Sequence, residues 1–352
     1  MSRQTKLYLA AFAAIVSGAL IISHLTRASL NPHEVQPNFV SGYDIAALKP
    51  QRARERVWKD IPFQKVYSVE NLGQPEGVKE GGDGTLFVLD WADMRIKKYS
   101  EGGEFTGTLG AGPGTKPGEF IHPTDLSVTE DGQVWVCDPD GPITAFNPDG
   151  SVLKTISPRN RIIRIAHGSG DNFITLPVPT GDHLFAQYAD SGELLRTFGR
   201  FIENQSENGI SLMGWLSEDD SGGFFYAALN VGLIGSYKMN GEPRFLVETI
   251  DPLPLPKVQI SSKGSKKVTD KLRVSALSLS VSGDEVYVLS DVKAGEDKRR
   301  IIDVYGSRDG SYLYSTRVPA ACRRLYVKGE HLYTVGDTSV TKWRWPKREY
   351  PS

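Results

Sequence analysis

Cysteine is nearly missing. Cys137 and Cys322 are the only two in 352 residues, too few for a disulfide framework to hold the chain together. A surplus of charge is missing as well: Lys+Arg of 41 against Asp+Glu of 42 leaves a formal net charge of -1. No overall basic field exists to hold a phosphate backbone, so nucleic acid is not expected as a partner. Amphipathic stretches with 3.6-residue periodicity are hard to find beyond the N-terminus, whereas glycine, at 36 residues, is plentiful. That combination favours short strands joined by turns, an all-β chain. No Gly-x-Ser-x-Gly elbow, phosphate-binding loop, His-Glu-x-x-His or paired-cysteine motif occurs, and no cofactor is expected.

Long apolar runs are also absent, with one exception. Arg3 and Lys6 precede an apolar stretch from Leu7 to about Ser23, followed by His24 and Arg27, the arrangement of an export signal. Its length lies near the lower limit for a membrane-spanning helix and is slightly long for a cleaved signal, so residues 1–28 read as a signal anchor or a signal peptide. Cleavage after Ala28 would place Thr26 at the minus-three position, and no cysteine lies close enough for a lipoprotein. The basic flank puts the remainder of the chain outside the cytoplasm, membrane-anchored or secreted, and in the periplasm if the source is bacterial. Residues 29–54 read as a linker and 55–352 as one folded domain.

That domain is repetitive. An acidic-glycine turn followed by an alternating apolar strand recurs at intervals of roughly 40 to 60 residues. The copies start at Asp83, Asp131, Asp171, Gly222, Asp284 and Glu330. A second turn follows in five of them, at Gly102, Asp149, Ser191, Asn240 and Asp309. The second copy shows four strands, 124–128, 133–137, 143–146 and 151–156, which is one blade of a β-propeller. Six blades follow. The last has no fourth strand of its own, because the chain ends soon after Trp345. Phe63 to Val69 is a spare strand suited to that place. Joining the two ends across about 270 residues costs roughly 5 kcal/mol of loop entropy. Burying three or four apolar side chains, at about 1.5 to 3 kcal/mol each, offsets it.

Between the first two blades, Gly110-Ala111-Gly112-Pro113-Gly114, Pro117-Gly118-Glu119-Phe120 and Pro123-Thr124-Asp125-Leu126 resemble the signature of NHL-repeat proteins, and Val136-Cys137-Asp138 and Phe146-Asn147-Pro148-Asp149-Gly150 continue it. The match covers residues 72 to 157 and fades afterwards. The resemblance implies a six-bladed propeller, in agreement with the independent count. It also implies that metal-dependent lyases and lactonases are among the relatives of this architecture. The lyase arrangement needs histidines just after the strand-opening prolines of three blades, where this sequence has Glu76, Thr124 and Arg164; His122 and His167 are out of register. The lactonase arrangement needs a glutamate at the start of blade 1, which Glu76 supplies, with Asp125 as a second carboxylate and the later asparagines missing.

Taking the same offset at the start of each innermost strand gives Glu76, Asp125, Arg164, Trp215, Ser275 and Arg324 as the candidate ligand-binding residues at the channel mouth. The expected function is therefore a monomeric, membrane-associated binding, scaffold or sensor propeller for a protein, peptide or glycan ligand. A divalent-metal lactonase or lyase is the alternative. Two insertions interrupt the blades: residues 251–273, proline-rich and then basic from Lys263 to Arg273, and residues 292–300. Each reads either as a solvated loop or as a basic face for an anionic partner or lipid head groups.

Overall fold

The computed structural model describes residues 33–35 and 48–346, apart from 54, 169, 180, 220, 263, 269–272, 293 and 294. The expected signal segment lies outside the described residues. Among those described, no helix is long and apolar enough to cross a membrane.

Six four-stranded antiparallel sheets form a ring. Blade 1 runs from Pro75–Glu80 outward through Leu86–Asp90 and Arg95–Tyr99 to Phe105–Leu109. Blades 2 to 5 repeat this order, and their innermost strands are Asp125–Val128, Ile162–His167, Gly214–Asp219 and Ala276–Ser282. Blade 6 has Arg324–Lys328 innermost, then His331–Val335 and Val340–Arg344. Its outer place is filled by Gln64–Val69, antiparallel to Val340–Arg344 with Val69 opposite Val340. The ring closes through the N-terminal strand, as the missing fourth strand of the last repeat requires. Phe63 and Tyr287 both set their rings edge-on to Trp345, at 5.0 and 5.1 Å, sealing that join.

The acidic-glycine turns follow from backbone sterics. Gly84 and Gly132 sit at φ 81° and 82°, a region that residues with a Cβ rarely adopt. The aspartates at the end of blade 1's second strand and just after that of blade 2 have another task. Asp90, fully buried, accepts backbone hydrogen bonds from Gly73 (2.8 Å) and Gln74 (2.7 Å) and holds the Lys97 ammonium at 2.7 Å. Asp138 accepts from Ile121 at 2.6 Å and His122 at 2.9 Å. Each pins the segment that leads into its own blade's innermost strand, which gives the repeat signature a structural meaning.

A meander of four strands puts its first and third turns on one face of the ring. Its second turn and the crossing to the next blade fall on the other. On the first face the connections are tight. On the second they are long: 110–124, 199–213, 249–275 and 291–300. Two elements there depart from the expected loops. Val258–Ile260 and Lys266–Val268 make a hairpin, and His33–Val35 adds a third strand to it, antiparallel to Val258–Ile260. Val258 and Ile260 alternate with exposed Gln259 and bury against Ile210 of the 199–213 connection. This period of two was hidden in the sequence by the flanking prolines and lysines.

Residues 48–53, within the segment expected to be a linker, lie on the propeller. Lys49 bridges Val247 on the outer edge of blade 4, and Trp58 bridges Ser315 on that of blade 5. Gln51 is buried and donates to the carbonyls of Glu248 (2.8 Å) and Gly310 (2.9 Å). Arg56 grips Asp303 with two hydrogen bonds of 2.8 and 2.9 Å and also pairs with Asp251. Burial works against its charge, but the two carboxylates outweigh that and hold its pKa above the ordinary value. The strap covers strand edges that would otherwise be open to pairing with other chains.

Candidate functional site at the channel mouth

The innermost strands of all six blades begin on the long-connection face, so their first side chains converge where the channel opens. A cavity of about 40 Å³ remains there, lined by Glu76, Asp125, Arg164, Trp215, Ser278 and Arg324 among others. That is room for on the order of three water molecules. Five of the six residues selected from the sequence meet at this point. Ser275 does not: it is buried, its N–H donates to the Leu229 carbonyl at 2.7 Å, and Ser278 lines the cavity from blade 5 instead. The reason is a β-bulge between Ala276 and Ser278. A similar bulge between Pro75 and Gly77 carries Glu76. Bulges re-aim side chains in ways that a fixed offset along the sequence does not follow.

Glu76 is the electrostatic hub. Its Oε1 accepts from Gln74 (3.0 Å) and Arg323 (3.2 Å), while Arg324 approaches Oε2 at 3.5 Å. Arg323 also donates to the carbonyls of Pro75 at 2.7 Å and Gly336 at 3.3 Å, tying blade 6 to blade 1. Arg324 gives Nη1 to the carbonyls of Leu277 (3.2 Å) and Arg323 (3.0 Å). Trp215 anchors its indole by donating Nε1 to the Ala276 carbonyl at 2.8 Å. The guanidinium carbons of Arg164 and Arg324 lie 3.9 and 4.0 Å from its ring centroid. In a desolvated site such cation–π contacts are worth up to about 2 kcal/mol each.

Arg164 is held differently. Its Nη1 donates to the carbonyls of Ile163 (2.6 Å) and Thr124 (3.3 Å), and its Nε is buried without a partner. Asp125 accepts one hydrogen bond, from the Ile165 N–H at 3.1 Å. Burial pushes the Asp125 carboxyl up to about 6, although Arg164 and Lys79 pull it the other way. Burial also lowers Arg324 to about 9 against the attraction of Glu76, and it lowers Arg164 too.

Deeper in the channel, Lys79 pairs with Glu218, which also accepts from the Ser127 hydroxyl at 2.6 Å. The Lys79 ammonium lies 5.2 Å from the Tyr326 ring centroid. Lys328 donates to the carbonyls of Glu80 (2.9 Å) and Gly81 (2.8 Å). Sequence reasoning missed this level. Stepping two or three residues inward from Glu76, Trp215 and Arg324 would have found Lys79, Glu218 and Tyr326. Arg323 gave no such signal, because it reaches Glu76 from a neighbouring blade.

The histidines are dispersed. His122 stacks on Trp91 and meets Asp140 at 2.7 Å; His167 is buried against Trp135 and Phe173. Among the described residues, no group of three or more His, Cys, Asp or Glu side chains is arranged to hold a metal ion. Cys137 and Cys322 are separate buried thiols.

Fold and ring closure define the class: a six-bladed β-propeller. Among solved structures the chain is similar to virginiamycin B lyase from Staphylococcus aureus, at 11% identity and a TM-score of 0.51 over 81% of this chain and 100% of that one. The β-propeller domain of Cps50 (Swd1) from Myceliophteria thermophila matches at 10% identity and TM-score 0.51, again over 81% and 100%. A streptogramin B lyase structure matches at 11% and 0.51 over 91% and 100%. These likenesses establish the fold. No family model matches the chain, and no curated protein sequence matches it.

Proposed function

We propose that this protein is an exported, membrane-associated binding propeller that captures a protein, peptide or glycan ligand at the channel mouth. The observation that carries the proposal is the convergence, on the long-connection face, of an indole with charged groups of both signs. One of those groups, Arg164, makes no ion pair among the described residues. Kinship with NHL-repeat propellers belongs to the same proposal and rests on residues 110–126, 136–138 and 146–150.

Membrane association rests on Arg3 and Lys6 ahead of the apolar run that ends at about Ser23. Nine residues lie between Ser23 and His33, whose strand is paired on the long-connection face. The ten steps from Ser23 to His33 span at most about 36 Å, so an anchored N-terminus would keep the mouth close to the bilayer. Alkaline phosphatase fused after Ser352 should then be active. An inactive fusion beside an active cytoplasmic reporter would overturn the export reading.

The metal-dependent alternative fits the residues poorly. Of the carboxylates at the mouth, Glu76 already serves Arg323 and Arg324, and Asp125 stands next to a guanidinium. The binding reading is tested by affinity capture from a membrane extract. Arg164→Gln and Glu76→Gln should each lose the captured ligand while remaining folded. Undiminished capture by both variants would move the binding surface elsewhere, first to the basic stretch from Lys263 to Arg273.

A further inference from the structure

We infer that the group recognised at the mouth is a free carboxylate, seated on the unclaimed edge of the Arg164 guanidinium. This inference rests on the binding reading above and names the chemistry of the ligand. Two guanidiniums, Arg164 and Arg324, line the mouth, and Arg324 shares Glu76 with Arg323 beside it. One level down, Lys79 has Glu218. Arg164 has no carboxylate within ion-pair distance among the described residues, and both its hydrogen bonds leave from Nη1 towards backbone carbonyls. Nε, buried and unpartnered, and Nη2 remain. These two form the edge of a guanidinium that takes a carboxylate through paired, parallel hydrogen bonds. The Trp215 ring lies 3.9 Å from the guanidinium carbon and holds it in place at the mouth.

Asp125 attracts Arg164 without forming a hydrogen bond or ion pair with it, so a buried donor edge is left unsatisfied, and a ligand carboxylate supplies the missing acceptor. The size of the space narrows the choice. The enclosed part, about 40 Å³, takes a carboxylate head group in place of water, so the ligand enters with that group first and its remainder lies towards the long connections. Glu76 and Asp125 flank the same space and disfavour a doubly charged phosphate. The carboxylate has two natural sources, a peptide C-terminus and a uronic acid.

Saturation-transfer NMR on the full chain in detergent separates these cases, with N-acetylglycine, glucuronate and their neutral amides as probes. The acids should bind at least tenfold more tightly than the amides. Arg164→Gln should abolish this preference, and Arg164→Lys should retain only part of it. Stronger binding of N-acetylglycine would assign a peptide terminus, and stronger binding of glucuronate an acidic glycan. Amides that bind as well as acids, with binding still lost in Arg324→Gln, would overturn the carboxylate while leaving the mouth as the site. Acid binding that persists unchanged in folded Arg164→Gln, or inorganic phosphate binding more tightly than either acid, would also overturn it. Failure of every probe, together with undiminished partner capture by Arg164→Gln, would overturn both readings.

Discussion

Replacing Asp125 with asparagine should make the protein more stable at neutral pH. In the folded chain burial lifts this carboxyl from an ordinary value of 3.8 to about 6. Between those values the folded state holds a proton that the unfolded chain has released. Stability therefore rises as pH falls through 6 towards 3.8, and the cost of ionising the buried group is fully developed above about pH 6.5. A difference of about 2.2 units at 1.36 kcal/mol each amounts to on the order of 3 kcal/mol. Asparagine cannot ionise, and its amide oxygen can still accept the Ile165 N–H. The assay is urea denaturation of both proteins from pH 4 to 8. The stability difference, variant minus wild type, should grow by roughly 2 to 3 kcal/mol as pH rises from 4 to 7. The same titration of His167 in both proteins cancels from the difference. A difference independent of pH would refute the claim that a buried carboxyl is held at the mouth against its own solvation.

Three further outcomes follow from the same structure. Arg56→Ala leaves Asp303 and Asp251 buried without their cation and should cost about 3–5 kcal/mol, read from the denaturation midpoint; a loss below 1 kcal/mol would show that the strap is not anchored there. Burial lowers His167 from 6.5 to about 4, so the unfolded chain takes up the proton first as pH falls, and the stability of the wild type relative to His167→Phe should drop by about 3 kcal/mol between pH 6.5 and 4. The Asp125 titration is shared by the two proteins and cancels from this difference, and a difference that does not change with pH would contradict the assignment. Deleting residues 1–47 should leave a folded propeller, whereas deleting 1–70 removes the closing strand and should abolish cooperative unfolding; equal melting temperatures for the two would rule out this closure.

The propeller was legible in the sequence because its signals are local. Acidic-glycine turns such as Asp131-Gly132 and alternating strands such as 133–137 announce a blade within a dozen residues. Ring closure followed from counting strands. The mouth was legible in part for the same reason, since equivalent positions at the strand starts identify Glu76, Asp125, Arg164, Trp215 and Arg324. Ser275 failed because a bulge of one residue alters which side chain faces the channel, and composition carries no trace of a bulge. Arg323, the Lys79–Glu218 pair and the Arg56 clamp depend on partners some 140 to 250 residues away. No window along the chain brings those partners together. The hairpin at 258–268 was obscured because proline and lysine around it suggested a solvated loop, while its two buried residues, Val258 and Ile260, meet Ile210 in the short helical turn of the connection between blades 3 and 4.

The central claim is that ligand is captured at the mouth on the long-connection face, and hydrogen–deuterium exchange on the protein with captured ligand tests it most directly. Protection should concentrate at the starts of the innermost strands, around Glu76, Asp125, Arg164, Trp215 and Arg324, and in the adjoining 199–213 connection. The tight turns at Gly84, Gly132 and Gly241 on the opposite face should exchange as before. Protection confined to that opposite face or to the outer strands, with the mouth unchanged, would contradict the account.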